Sequence, residues 1–116
     1  MPLMKRGEIW WIDFDPALGS EIRKTRPAVI ISNDAANKNL SRCVVIPVTS
    51  NTNRLYPGEA LVSINGREGK AMADQITTVA KSRLRNQVGV LSSDDMGKVE
   101  EAVLIHLGLP FSRSEA

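Results

Sequence analysis

Short apolar runs, each closed by glycine, proline or asparagine, recur along this chain and favour one architecture, a small and strongly bent sheet. EIWWIDF (Glu8 to Phe14) comes first and PAVIIS (Pro27 to Ser32) second. CVVIPVT (Cys43 to Thr49) is third, and Pro47 predicts an edge, bend or bulge near its end because proline cannot donate to a ladder. EALVSI (Glu59 to Ile64) alternates as a half-buried strand does, and Asn65-Gly66 marks the turn behind it. Lys70 to Val79 and Gln87 to Leu91 bring the set to five or six strands, while Asp34 to Asn39 has room for one helical turn. The convincing helix comes last. Ser93 is placed to cap it, Asp94 and Asp95 suit its positive end, and Met96, Val99, Val103 and Leu107 fall on one face before Gly108 and Pro110 stop it. The pattern predicts an all-β fold with a C-terminal helix. At 116 residues the chain fits a single domain, 1–116, with its core over about 5–109 and a frayed tail at 111–116.

The strand pattern stops between Asp13 and Asn33, where DFDPALGSEIRKTRPAVIISN carries a polar loop between two apolar runs. That loop is the predicted working surface. It offers Gly19, Ser20 and Glu21, then Arg23, Lys24, Thr25 and Arg26, and it closes at Pro27, whose fixed φ and missing N–H suit a strand start. A solvated hairpin loop is the bland alternative. Charge gives mild support to the sharper reading. The net charge of +2 hides an asymmetry: up to Arg85 there are 13 Lys and Arg against 8 Asp and Glu, and beyond it 2 against 5. A basic body with an acidic tail suits a polyanionic partner, although a surplus this small is also compatible with ordinary solubility.

Other chemistries lack their residues. One cysteine, Cys43, lies in an apolar run and reads as a buried strand residue. His106 is the only histidine and sits beside the apolar stripe of the helix, which favours packing or an interface over catalysis. There is no Cys/His array with zinc spacing and no GxxxxGK loop. Asp13 and Asp15 could bind a divalent cation, but two carboxylates around a phenylalanine are more often strand-end residues. No metal and no cofactor is expected. The short polar N-terminus has no signal or membrane-spanning character, so a soluble cytoplasmic protein with a reduced thiol is expected.

The pieces KRGEIWWIDFDPALGSE, RPAVIIS, VIPVTSN and ADQI, followed by the terminal helix, run in order from about Lys5 to Leu109. In that order and spacing the chain resembles the MazF/PemK family of bacterial toxin endoribonucleases. The resemblance implies an SH3-like barrel of strongly curved antiparallel strands with a C-terminal helix. It further implies a homodimer, metal-independent and sequence-specific cleavage of single-stranded RNA, and a MazE-type antitoxin whose acidic C-terminal tail occupies the RNA groove. By the same resemblance Arg26 and Thr49 fall at the catalytic positions, and Glu21 and Gln75 at positions lining the groove, with Ser20 beside them. Arg23 and Lys24 add basic charge to the same loop. One departure bears on specificity. Ile22 to Thr25 stand where many relatives carry small or glycine-rich residues, so the cleavage sequence cannot be inherited from a relative.

These side chains suit cleavage by the RNA's own 2′-hydroxyl. Arg26 offers a rigid fork of donors to phosphate oxygens and Thr49 a hydroxyl donor. Glu21 is the more comfortable acid or base, since an arginine of pKa above about 12 is a poor base near neutral pH. The expected products are a 2′,3′-cyclic phosphate and a 5′-hydroxyl. Two other classes remain open. A CcdB-like gyrase poison would need a tryptophan near the end of the helix, where this chain reads GLPFSRSEA. A non-catalytic RNA-binding module would normally show an aromatic platform, yet only 4% of residues are aromatic, and the adjacent Trp10 and Trp11 must point to opposite faces, one into the core and one to a groove or partner.

Overall fold

The computed structural model describes residues 3–14 and 25–110. Among these, seven strands and two α-helices follow in the order β1 (Glu8–Asp13), β2 (Thr25–Ile30), α1 (Asp34–Asn39), β3 (Arg42–Thr49), β4 (Glu59–Ile64), β5 (Arg67–Met72), β6 (Thr77–Ala80), β7 (Leu84–Val90) and α2 (Ser93–Leu107). The strands form one antiparallel sheet in the order β4-β5-β3-β2-β1-β7, with β6 also pairing to β3. The expected mostly-β fold with a terminal helix is therefore what the chain adopts.

The bend originates at β3. Its far edge is shared, with Arg42 to Val45 opposite β6 and Val48 and Thr49 opposite β5. Ile46 and Pro47 face the gap between them, so the proline falls where the outer ladder changes partner and an N–H on that side is not needed. The single run expected over Lys70 to Val79 is accordingly two strands, separated by a 3₁₀ turn at Ala73–Gln75. The last strand also begins earlier than Gln87, at Leu84.

The β4–β5 hairpin turns where Asn65-Gly66 predicts. Both residues have positive φ, 52° and 80°, as a two-residue hairpin turn with the sheet's own twist requires. Asn65 then reaches across to the opposite end of the sheet, donating from Nδ2 to the Val88 carbonyl at 3.0 Å. That bond curls the sheet towards closure, joining the β4–β5 hairpin to β7.

Because side chains alternate, the central strands feed two cores. On one face Ile9, Val29, Ile46 and Val48 pack with Val62, Met96, Val99 and Ala102, beneath α2. On the other, Trp10, Ile12, Ala28, Ile30, Cys43, Val45 and Leu84 pack together. Burial raises the Cys43 thiol pKa to about 11, with nearby Lys81 pulling weakly the other way, which fits the buried strand residue expected.

Helix α2 begins one residue earlier in its capping than Ser93 predicts. Ser92 is the cap, its hydroxyl accepting from the Asp95 N–H at 3.1 Å, while Ser93 is the first helical residue. Gly108, at φ 69°, ends the helix with its N–H bonded to the Ile105 carbonyl, and Leu109 N–H reaches back to Leu104. The inward face carries Met96, Val99 and Ala102, with Val103 partly buried, whereas Leu107 is exposed and Ala102 takes a core position that the apolar stripe did not assign. His106 is exposed, with its Cβ alongside Gly58. No helix is long and apolar enough to cross a membrane among the described residues.

Candidate functional site

Arg26 lies within β2, not ahead of it as the sequence suggests, and pairs with Ile12 of β1. Pro27 follows inside the strand, opposite Trp11. On the other side, β2 and β3 pair Ala28 with Pro47, Val29 with Ile46 and Ile30 with Val45. Continued by two residues, that register sets Arg26 opposite Thr49, and Thr49 in turn pairs with Lys70 of β5. Directly opposed residues project to the same face. Arg26, Thr49 and Lys70 thus form a row across three strands. The 3₁₀ turn carrying Gln75 lies between β5 and β6, alongside the stretch of β3 from Val45 to Val48. Three of the expected site residues, Arg26, Thr49 and Gln75, come from separate elements of the chain and are gathered around β3.

Polar bookkeeping distinguishes this place from the rest. Among the described residues, two buried side-chain atoms have no hydrogen-bond partner, Arg26 Nε and Gln75 Oε1. A buried donor or acceptor left empty costs about 1–3 kcal/mol, so native chains rarely keep one without a use. Gln75 Nε2 makes only a weak contact with Met72 Sδ, 3.6 Å away. Thr49 Oγ1 accepts from the Asn51 N–H at 3.2 Å, which orients the hydroxyl and leaves its proton for another acceptor. A guanidinium nitrogen, a hydroxyl and an amide oxygen so arranged suit a ligand rich in oxygen acceptors and carrying donors at its rim.

Glu21, Ser20, Arg23 and Lys24 lie outside the described residues, as does Asp15. Asp13 is engaged, with Arg85 Nη2 at 2.8 Å from its Oδ2. Among the described residues there is no cluster of three His, Cys, Asp or Glu side chains able to hold a metal.

Lys70 is the residue that sequence reasoning passed over. It is buried, its ammonium 3.1 Å from Glu59 Oε1 and 2.9 Å from the Arg54 carbonyl, with both members of the ion pair only 11% exposed. The same carboxylate oxygen accepts from Tyr56 N–H at 2.9 Å. A lysine between Gly69 and Ala71, small residues in a strand-like run, is the available signal.

A cleft of about 330 Å³ touches Thr49 from the other side, with Trp11, Pro27, Val48 and Val88 in its walls and Arg67 and Glu68 at its rim. Trp11 and Pro27 each adjoin a residue of the Ile12–Arg26 pair, so they point to the opposite face of the sheet. The two tryptophans divide as alternation demands, Trp10 in the core and Trp11 on the cleft.

Fold and site define a class first: a small curled antiparallel sheet, closed by one helix, with an unsatisfied arginine opposite a threonine on adjacent strands. Residues 5–107 match the family described as PemK-like, MazF-like toxin of type II toxin-antitoxin system. The endoribonuclease MazF9 of Mycobacterium tuberculosis is 41% identical over 116 residues, covering 92% of this chain and 98% of that protein. Among solved structures, MazF from Deinococcus radiodurans superposes with a TM-score of 0.82 at 27% identity, over 94% of this chain and 100% of that one. An endoribonuclease in complex with its cognate antitoxin, from a mycobacterial species, superposes at 0.78 with 28% identity, over 93% of this chain and 98% of that one. The chain belongs to the PemK-like, MazF-like toxin family.

Proposed function

We propose that this protein is the toxin of a toxin-antitoxin pair and an endoribonuclease that cuts single-stranded RNA at a preferred sequence. The observation that carries the proposal is the buried Arg26 Nε without a partner, set by register across from Thr49. The 2′-oxygen attacks the adjacent phosphorus, the bond from phosphorus to the 5′-oxygen breaks, and a 2′,3′-cyclic phosphate and a 5′-hydroxyl result. One proton leaves the 2′-oxygen and one is delivered to the departing 5′-oxygen. Arg26 and Thr49 donate to the phosphoryl oxygens as charge builds, which is where a fixed donor contributes most. Glu21 exchanges protons, while Ser20, Arg23, Lys24 and Gln75 line the RNA path. No metal takes part.

The same reading assigns a cytoplasmic homodimer, inhibited by a MazE-type antitoxin whose acidic C-terminal tail lies in the RNA groove against the basic loop. Sequencing the 5′-hydroxyl ends left on a long RNA tests activity and specificity together. Cleavage is expected to persist in excess EDTA and to weaken with rising salt, because the RNA is held through its phosphates. Activity that disappears with EDTA and returns with magnesium contradicts the mechanism.

A further inference from the structure

Tyr56 stands out among the exposed aromatic residues because three different contacts hold it. Its N–H donates to Glu59 at 2.9 Å, its hydroxyl accepts from Arg54 Nη1 at 3.2 Å, and the Lys70 ammonium lies over its ring, 6.0 Å from the centroid. Yet 54% of the residue remains exposed. An exposed side chain gains little stability for the fold from such restraint, whereas an aromatic surface fixed before binding spares a ligand the entropy of ordering it. The anchor that holds the ring, Lys70, is the residue paired with Thr49. The ring therefore sits at the end of the Arg26–Thr49–Lys70 row, on the loop that leaves Thr49.

We infer that Tyr56 is a stacking platform for a base flanking the cut, which rests on the RNA-cleaving function proposed above. A base offers a π-face whatever its identity, and the lysine on the other side of the ring, neutralised by Glu59, fixes the ring's orientation. Lys70 and Glu59 act as positioning residues. They hold the ring relative to Thr49 without touching the RNA.

The test uses an RNA carrying the site mapped by end sequencing, with 2-aminopurine placed in turn at each flanking position and a 2′-deoxy sugar at the cut. Binding by the wild-type protein and by Tyr56→Phe is expected to quench the 2-aminopurine at one flanking position, and Tyr56→Ala to abolish that quench. On the cleavable RNA, Tyr56→Ala is expected to raise KM by about 5- to 150-fold with kcat and melting temperature little changed, since stacking is lost but no donor to the phosphate is. Tyr56→Ala with wild-type KM and wild-type quenching overturns the inference, whether or not binding of an acidic antitoxin peptide weakens. A wild-type protein that leaves RNA uncut and unbound overturns the function as well, so the two failures are told apart by the wild-type control.

Discussion

Two cations lie in one cross-strand row, Lys70 buried and Arg26 half-buried, and their surroundings are opposite. Lys70 is matched on every side, by the Glu59 carboxylate, the Arg54 carbonyl and the Tyr56 ring. Arg26, separated from it by Thr49 alone, keeps a buried Nε with no partner, and Gln75, on the turn alongside β3, keeps an empty Oε1. The contrast teaches how to sort buried polar groups. A matched one holds the fold, and an unmatched one is kept in spite of its cost, for what arrives later.

The largest expected effect comes from the unmatched side. Arg26→Ala and Thr49→Ala should each lower the cleavage rate by about 10²- to 10³-fold, the usual loss for one preorganised donor. Neither should unfold the protein, since Arg26 Nε gives up no bond among the described residues. Rates measured beside circular dichroism melts decide this, and a folded, fully active Arg26→Ala protein breaks the assignment.

Lys70→Met should do the reverse. It leaves the Glu59 carboxylate half-matched in a site that is 11% exposed, and the expected loss is about 3 kcal/mol of stability in a urea titration. Adding Glu59→Gln should recover part of that loss by removing the stranded charge. If Lys70→Met is as stable as the wild type, the pair is not the anchor described.

Gln75→Leu sharpens the contrast at smaller scale. Removing an amide whose buried oxygen has no partner is expected to leave stability equal or slightly raised, while cleavage weakens about 3- to 10-fold through one lost hydrogen bond to RNA. A clear loss of stability would place Gln75 with the matched residues.

The smallest effect concerns a matched carboxylate. Asp34 accepts from the Arg6 backbone N–H at 2.7 Å and from Asn37 Nδ2 at 3.1 Å, and these bonds, the backbone one first, hold its pKa below the usual 3.8. A depressed carboxylate pKa gives stability that is complete above the unfolded value and is lost as pH falls through the folded one. Asp34→Asn should therefore flatten the acid side of the stability curve below about pH 4 and lower the neutral side slightly, because the ionised carboxylate's contribution, complete above its unfolded pKa, is gone. An identical acid limb in both proteins would contradict the bond pattern.

Much of the fold was legible because its signals are local. The alternation of EALVSI, the Asn65-Gly66 turn and the apolar stripe of α2 each act within a few residues, where propensity and pattern decide. The ordered segments also disclosed the family, and through that resemblance singled out Arg26 and Thr49 as the residues to test. Lys70 was within reach too. A turn at 65–66 pairs residue 64 with 67 and 61 with 70, which sets Glu59 diagonally across from Lys70 before any coordinates are known. The break of Lys70 to Val79 into two strands was not legible, because its cause is β3, whose outer edge changes partner at Pro47.

The sequence by itself determined where the first four strands lie, where the hairpin turns, how the helix ends and that Trp10 and Trp11 must part, since these follow from the geometry of neighbouring residues. Only the tertiary structure decided which tryptophan enters the core, that the β2–β3 register, continued, sets Arg26 opposite Thr49, and that the Lys70 ammonium is matched while the buried Arg26 Nε is not. Those are properties of distant residues brought together. Whether a buried charge finds a partner depends on the register of other strands, and no local pattern records it.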